Sequence, residues 1–324
     1  MTYSPVSLRR AIAWHPPLML FAGTMAALAV VALAGLVVDD RELLGAPVWL
    51  KPFKFAVSFV AYAVTLAWMI PLLRRGRRTA RWTGTVVAVA GILEVGLIVG
   101  QAARGRQSHF NNTTPLDEMI LMGMAGMAGV LYLGTLVVAV LLMIQRVGEP
   151  AITWTLRLGV LIALAGMGVG FLMVLPTDAQ LAAGTGDIVG AHSVGVPDGG
   201  AGMAVTGWST TGGDLRISHF VGMHALQALP LLAIALAALA GRFPRLRDGR
   251  VRLRLVLVAA AGYSGLVALV TWQALRGQPL IDPDGATLAA AGLLAAATAV
   301  GAVAALRRRP PAPAPEAERI EVYR

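Results

Sequence analysis

The sequence predicts an all-α membrane protein, a polytopic bundle of about eight transmembrane helices with both termini in the cytoplasm. Of its 324 residues, 57% are apolar, and the mean hydropathy is +0.71. The apolar residues come in long runs, whereas a soluble domain breaks them into a helical or strand periodicity. A β-barrel is excluded because its strands alternate apolar and polar residues over about ten positions, which these runs do not.

Eight runs are long enough to qualify as membrane spans, since a helix needs roughly 20 residues to cross a hydrocarbon core about 30 Å thick. They are 16–38, 55–73, 83–102, 119–144, 152–175, 219–240, 253–275 and 285–306. The first run is too long for a signal peptide and ends without a small-residue cleavage site, so we expect it to remain as a helix. The chain is therefore predicted to be one transmembrane domain over 1–309, followed by a disordered cytoplasmic tail over 310–324.

The distribution of basic residues predicts the orientation. If the N-terminus is inside, the cytoplasmic segments carry 20 of the 27 Lys and Arg residues, as the positive-inside rule requires. Both termini then lie in the cytoplasm, and the expected location is the plasma or inner membrane. The net charge of +10 is accordingly a topology signal and not a sign of nucleic-acid binding, and the lipid bilayer is the first expected partner.

The polar residues are concentrated in three predicted exterior segments, 39–54, 103–118 and 176–218. The last of these is long and rich in glycine. Structureless loops of this length are usually functional or disordered. We interpret it either as a lid over an outward-facing site or as a plain flexible loop.

The only two lysines, Lys51 and Lys54, lie in the segment Trp-Leu-Lys-Pro-Phe-Lys-Phe at 49–55. Their predicted position is exterior, at the start of a helix. The helix N-terminal amides and both ammonium groups could face one ligand, which favours an anion site. Alternatively, both lysines extend to lipid headgroups.

A second pattern, Arg-x-Ser-His-Phe, occurs at 106–110 and again at 216–220. Arg216 and His219 of the second copy share one broad helix face with His224 and Gln227, which follow it, at 100° per residue. Polar groups of a membrane helix face the bundle interior, because lipid cannot satisfy their hydrogen bonds. The alternative is that these histidines are ordinary hydrogen-bonded boundary residues.

Glu94 is the only formal charge near mid-membrane. An ionised side chain there costs several kcal/mol unless it is paired or hydrated. Glu94 is therefore predicted to face the interior, within reach of another polar side chain. It would be either a proton acceptor or polar anchor below the exterior site, or a protonated acid bonded to a neighbouring helix, for example to Gln273 or Tyr263.

The sequence excludes some metal sites and cofactors but does not identify one. The absence of cysteine excludes thiolate zinc sites, iron–sulfur clusters and cysteine nucleophiles. His219 and His224 are five positions apart, a poor spacing for joint zinc binding on one helix, so a metal would take one of them together with His109. A haem or a divalent metal remains possible as a cofactor, and the sequence requires neither.

Gly166 starts a row of small residues that could support close helix contacts within one chain or between chains. A homo-oligomer is therefore also possible.

The segments Trp49–Phe55 and Gly213–Phe220 resemble segments of bacterial multi-pass membrane proteins to which no activity is attached. The resemblance implies a membrane location and nothing about a reaction. The Pro-Ser-Gly-His turn of type-2 phosphatidic acid phosphatases is absent, and the histidine spacing differs from that of ceramidase-like hydrolases.

Three functions follow as hypotheses. The favoured one is an outward-facing pocket that binds an anionic or lipid-linked small molecule, for transport or modification. The others are a membrane redox protein with one haem or metal on His109 with His219 or His224, and a signalling or assembly protein without chemistry. The candidate catalytic residues are Glu94, His109, His219 and His224. The candidate ligand-binding residues are Lys51, Lys54, Arg106, Ser108, Asp214, Arg216 and Gln227.

The sharpest expectation is that the exterior cations and histidines converge on one cavity. The set is Lys51, Lys54, Arg106, His109, Arg216, His219 and His224. So many cations would repel one another unless an anion or Asp214 lies between them. Replacing Lys51 or Arg216 with Met is then expected to weaken ligand binding more than folding.

Overall fold

The computed structural model describes residues 7–184 and 186–307, and most of these residues are helical. The helices are α1 Leu8–Ile12, α2 Pro16–Val38, α3 Leu50–Met69, α4 Arg77–Ala103, α5 Pro115–Met143, α6 Pro150–Met173, α7 Asp178–Ala182, α8 Leu215–Met223, α9 Ala225–Leu239, α10 Gly249–Leu275 and α11 Gly285–Arg307. Two small antiparallel ribbons pair β1 (Glu42–Leu43) with β2 (Ala46–Pro47) and β3 (Ser193–Val194) with β4 (Gly213–Asp214). The predicted all-α fold class is confirmed. The predicted tail, 310–324, lies outside the described residues.

Within the described residues, seven helices are each long and apolar enough to cross a membrane: α2, α3, α4, α5, α6, α10 and α11. The predicted span 219–240 is not one straight helix. It divides into α8 and α9, which are bent by 42° at a one-residue break and form an eighth span only together. At the break, the Gln227 N–H bonds to the His224 carbonyl in a tight i to i+3 turn. Pro230 inside α9 also lacks the N–H that a continuous helix would use.

Several helices begin before their apolar runs, because polar side chains cap them. Thr114 accepts a hydrogen bond from the Asp117 N–H and starts α5 with Pro115 in its first turn, and Asp248 caps α10 through the Arg250 N–H. A side-chain oxygen satisfies an N–H that has no partner inside the helix. The apolar run marks the part of the helix suited to lipid, whereas the cap marks where the helix begins.

Helix α6 packs against α5, α8, α9 and α10, and its contact with α8 is made by glycine. A Cβ on Gly166 would lie 2.5 Å from the Gly222 carbonyl carbon and the Met223 nitrogen, so the two backbones touch directly. Helix α11 packs mainly on α10 and exposes large apolar side chains, among them Leu288, Leu293 and Val300. Such a surface is suited to lipid and not to water.

The two ends of the bundle differ in character. At one end, which we call the arginine end, the connections 73–76, 144–149 and 240–248 are short. Gln145 holds two of them together, since its Oε1 accepts from the Arg74 and Arg75 N–H groups at 2.7 and 3.0 Å. The opposite end, which we call the loop end, contains 39–49, 104–114, 174–214 and 276–284.

The glycine-rich loop at the loop end was expected to be a structureless segment, either a lid or a plain flexible loop. Its described residues instead carry α7, β3 and β4 and are hydrogen-bonded to other parts of the bundle. The Val189 N–H bonds to the Phe110 carbonyl at 2.9 Å, and the Asn112 N–H bonds to the Asp187 carbonyl at 2.7 Å. Gly190 has a φ of +98°, a backbone conformation that favours glycine. The loop is therefore built onto the end of the bundle.

Candidate functional site

The first turn of α3 carries both lysines at the loop end, and Trp49 fixes its position. The Trp49 indole donates to Asp39 at 2.8 Å, and its ring packs against Gly35 of α2. From this turn, the Lys51 Nζ lies 3.0 Å from His109 Nδ1, and the Lys54 Nζ donates to the Thr206 carbonyl at 2.7 Å. Both ammonium groups thus bind protein groups, which disfavours the alternative that they extend to lipid headgroups.

The protonation state of His109 follows from its contact with Lys51. An ammonium group can only donate, so His109 Nδ1 accepts and its neutral ring carries the proton on Nε2. Burial, followed by the positive charge of Lys51 and the nearby rings of His192 and His219, holds the pKa of His109 well below 6.5. Ser108 Oγ lies 3.1 Å from the same Nδ1. His109 is therefore a neutral ring between Lys51 and Ser108.

Lys54 and Arg216 both hold the glycine-rich loop. While Lys54 binds the Thr206 carbonyl, the Arg216 guanidinium donates to the neighbouring Gly207 carbonyl at 2.7 Å. Arg216 also forms a two-pronged ion pair with Asp214, with Nε to Oδ1 at 2.9 Å and a terminal nitrogen to Oδ2 at 2.5 Å. Asp214 additionally caps α8 and accepts from the Ser209 N–H. The described contacts of Arg216 are thus with protein groups, and Asp214 is its counter-ion.

The structure adds a His–Asp pair that the sequence analysis missed. His192 Nδ1 lies 2.9 Å from Asp198 Oδ2, and the Asp198 carboxylate also accepts from the His192 and Ser193 N–H groups. Burial lowers the pKa of His192, although the hydrogen bond to Asp198 acts in the opposite direction, and the positive charges of Lys51 and Arg216 lower it further. The only sequence signal was a histidine followed by an aspartate in a loop with few charges.

Asp198 is expected to be ionised around neutral pH. Burial alone would raise the pKa of its carboxyl group, but the hydrogen bond from the His192 ring and those from the two backbone N–H groups hold this pKa well below its usual range. The pair therefore adds a fixed negative charge and an oriented imidazole ring to the loop end. Phe110 packs its ring edge to face with His192, with ring centroids 4.8 Å apart.

Glu94 lies in the interior, as predicted, with only 4% of its surface exposed. Its Oε2 is buried and has no hydrogen-bond partner among the described residues. The hydrogen bond from a protonated Glu94 to Gln273 or Tyr263, the examples considered, is not formed, and these residues bond instead to Pro279 and Val221 respectively. Lys51 is the charged group that acts on Glu94 through space.

Arg106 was expected to converge with Lys51 and Lys54, but its contacts lie elsewhere. Its guanidinium lies 3.7 Å from Asp117, which also pairs with Arg104 at 2.9 Å and accepts from Gln101 at 2.9 Å. The carboxylate of Asp117 is fully buried at the start of α5, and a buried carboxylate needs cations and donors close by. These residues form a separate network.

His219, His224 and Gln227 follow the inner face of α8 and α9 away from the loop end. His219 Nδ1 donates to the Gly166 carbonyl at 2.8 Å. His224 Nδ1 lies 3.1 Å from Gln227 Oε1, and its Nε2 is buried without a partner among the described residues. Gln227 contacts Thr65 of α3 at 3.3 Å, which lies about three helical turns beyond Lys54 and about four beyond Lys51. His224 and Gln227 therefore lie deeper in the bundle than Lys51.

In the described part of the chain, no group of three or more His, Cys, Asp or Glu side chains could hold a metal ion. His109, His219 and His224 therefore do not form a three-ligand metal site, and a metal held by His109 with one of the other two stays a prediction. Each Nδ1 is engaged by another group, namely Lys51, the Gly166 carbonyl and Gln227 respectively. The single-haem alternative needs only two of these histidines and stays a prediction.

The residues whose charges or rings act on Lys51, Lys54, His109 or His192 define what we call the loop-end cluster. Its members are Lys51, Lys54, Glu94, His109, His192, Asp198, Asp214, Arg216 and His219. Glu94 and His219 belong to the helices α4 and α8 below the loops. In this cluster, Lys51 has no carboxylate bonded to it and lies next to neutral imidazole rings. Such an arrangement can bind an acceptor-rich group or exchange protons. Comparison with protein-family models, curated proteins and solved structures gives no match.

Proposed function

We propose that this multi-pass membrane protein binds an anionic ligand, either free or lipid-linked, at the loop-end cluster. The observation that carries the proposal is the bonding of Lys51. Its ammonium group is partly buried, and its hydrogen-bond contact is with the neutral ring of His109, not with a carboxylate. A cation of this kind can still attract an anion, whereas Arg216 is already paired with Asp214.

The donors around Lys51 suit an oxyanion. Lys51 has two N–H donors besides the one directed at His109, and the neutral His109 ring has one on Nε2. Helix α3 begins at Leu50 without a side-chain cap, so the positive end of its dipole also lies at the loop end. A carboxylate, sulfate or phosphate group would accept these hydrogen bonds, and a lipid headgroup offers the same chemistry as a free anion.

We expect replacement of Lys51 with Met to weaken oxyanion binding about tenfold or more, which corresponds to about 1.4 kcal/mol or more. The protein in nanodiscs is titrated with inorganic sulfate, and in parallel it is placed in nanodiscs with phosphatidylglycerol or with phosphatidylcholine alone. Binding is read as a rise in the melting temperature. A response to sulfate identifies a free anion as the ligand type, and a response only to phosphatidylglycerol identifies a lipid headgroup.

The matched control is Arg276→Met. Arg276 is another loop-end cation, but it pairs with Asp284 at 2.5 Å, and both side chains are exposed. This variant should keep the wild-type response. If neither probe raises the melting temperature of the wild type, or if Lys51→Met responds as the wild type does, the proposal is wrong.

We further propose that the loop end faces the exterior and that both termini are cytoplasmic, with the plasma or inner membrane as the location. The support is the excess of Lys and Arg on the arginine-end side, since basic residues stay on the cytoplasmic side. Reporter fusions at residues 110 and 200 should give an exterior signal, and fusions at 78, 247 and 315 a cytoplasmic one. A cytoplasmic signal at 110 would overturn this orientation.

A further inference from the structure

We propose that Glu94 is a proton-binding site coupled to the anion site through Lys51, so that binding of an oxyanion at the loop-end cluster is accompanied by uptake of a proton at Glu94. The inference rests on the proposed function and specifies how that site is regulated. It starts from the isolation of Glu94, whose Oε2 is buried and lacks a hydrogen-bond partner among the described residues.

The position of Glu94 leaves it few ways to be stabilised as an anion. It lies nine residues before the end of α4 at Ala103, which is about 14 Å below the loop end at 1.5 Å per residue. A carboxylate at such a depth is costly unless a cation or water compensates it. The Glu94 carboxyl group must therefore either be stabilised as an anion by a nearby cation or be neutralised by a bound proton.

Lys51 is the cation that can stabilise an ionised Glu94, as a comparison of the charged residues on the helices around α4 shows. Helix α4 packs against α2, α3 and α5, and α2 has no charged residue. On α5, Asp117 is occupied by Arg104 and Gln101, Glu118 is exposed and Tyr132 is partly buried.

On α3, Tyr62 is hydrogen-bonded to Thr135 and Lys54 to the loop. The remaining arginines of α4, Arg77, Arg78 and Arg81, lie at the arginine end. Lys51 is the charged group that acts on Glu94 through space. The same ammonium group therefore serves Glu94 and the proposed ligand.

Sharing one cation couples the two events. When Glu94 is ionised, its negative charge competes with an incoming oxyanion for the field of Lys51. When Glu94 takes up a proton from solvent, the competition ends and the anion is bound more tightly. By linkage, the bound anion must favour protonation of Glu94 by the same factor. Oxyanion affinity should therefore fall as the pH rises through the range in which Glu94 loses its proton.

The test compares wild type with Glu94→Gln, which keeps the shape of the side chain but cannot ionise. The dissociation constant for inorganic sulfate is measured in nanodiscs from about pH 6 to about pH 8, a range in which sulfate keeps its charge; phosphatidylglycerol serves as the lipid arm. We expect wild-type affinity to fall by up to about tenfold per pH unit. We expect Glu94→Gln to bind sulfate more tightly than the wild type, and its affinity to fall less steeply with rising pH, because only the proton at Glu94 is removed from the linkage.

Glu118→Gln is the matched control, since it removes an exposed carboxylate at the start of α5. It should keep the wild-type pH dependence. If Glu94→Gln binds sulfate with the same pH dependence as the wild type, the coupling is overturned while the anion site stands. If the wild type binds neither probe at any pH, the proposed function itself fails.

A second measurement does not depend on the folding of a variant. Sulfate is added to weakly buffered wild-type protein with a pH indicator, and proton uptake is recorded against occupancy. We expect up to one proton to be taken up for each sulfate bound. Sulfate binding without any proton uptake across the pH range would overturn the coupling.

Discussion

Replacing Arg216 with Met is expected to destabilise the protein by about 2–4 kcal/mol, because it leaves the buried carboxylate of Asp214 without its cation. Removing one partner of a fully buried ion pair costs about 3–5 kcal/mol. The Asp214 side chain is fully buried, whereas that of Arg216 is 28% exposed, so we expect a loss around or below the lower end of that range. The measurement is thermal unfolding in detergent or nanodiscs.

Two further variants separate this cause from a general effect of losing an arginine. Arg41→Met removes another loop-end ion pair, that with Asp39, but the Arg41 side chain is 50% exposed, so we expect a loss below about 1 kcal/mol. Adding Asp214→Asn to Arg216→Met removes the stranded charge and should restore part of the stability. Equal losses for Arg216→Met and Arg41→Met, or no recovery in the double variant, would contradict the account.

This expectation changes the use of Arg216 as a test of function. From the sequence, Arg216→Met was expected to affect ligand binding more than folding. Its contacts with Asp214 and the Gly207 carbonyl lead us to expect an effect on folding first. Lys51, which lacks a bonded carboxylate, remains the residue whose replacement tests binding.

Replacing Gly166 with Ala is expected to lower stability by about 1–3 kcal/mol or more, the range for a side chain forced into a well-packed contact. The added Cβ would meet backbone atoms of Gly222 and Met223 at 2.5 Å, and backbone cannot move aside as a flexible side chain can. Helix α8 would have to move away from α6. Because His219 donates to the Gly166 carbonyl, this movement would also displace His219 from the cluster.

Gly168→Ala is the matched control on the same helix, since an added Cβ there meets nothing within 4 Å. It should be neutral or slightly stabilising, because Ala favours a helix more than Gly does. Both variants are measured by thermal unfolding and by sulfate titration. If the two melting temperatures fall equally, close packing at Gly166 is not the reason for the loss.

Much of the loop-end cluster could be anticipated from single residues, but their partners could not. The position of Lys51 and Lys54 at a helix start follows from the local sequence around Pro52. The partner of Lys51 is 58 positions away, and that of Lys54 is 152 positions away. The pair of His192 and Asp198 was missed because only the folded loop brings it to the charges of Lys51 and Arg216.

The repeated Arg-x-Ser-His-Phe motif shows the limit most directly. Arg106 turns to Asp117, which follows it in the chain, whereas Arg216 turns to Asp214, which precedes it. His109 meets Lys51, whereas His219 meets the Gly166 carbonyl. Identical residues thus have different partners, because the helices packed around each copy differ.

The sequence by itself determined that this chain is a bundle of membrane-spanning helices with unlike ends. The length of an apolar run and the number of arginines in a connection are local properties, and lipid acts on them directly. Only the tertiary structure decided which polar groups meet. It left the Glu94 Oε2 without a hydrogen-bond partner among the described residues, and it placed Lys54 and Arg216 so that they hold the last third of the glycine-rich loop. The physical reason is that hydrogen bonds and ion pairs act over a few ångströms, so they depend on how distant segments pack.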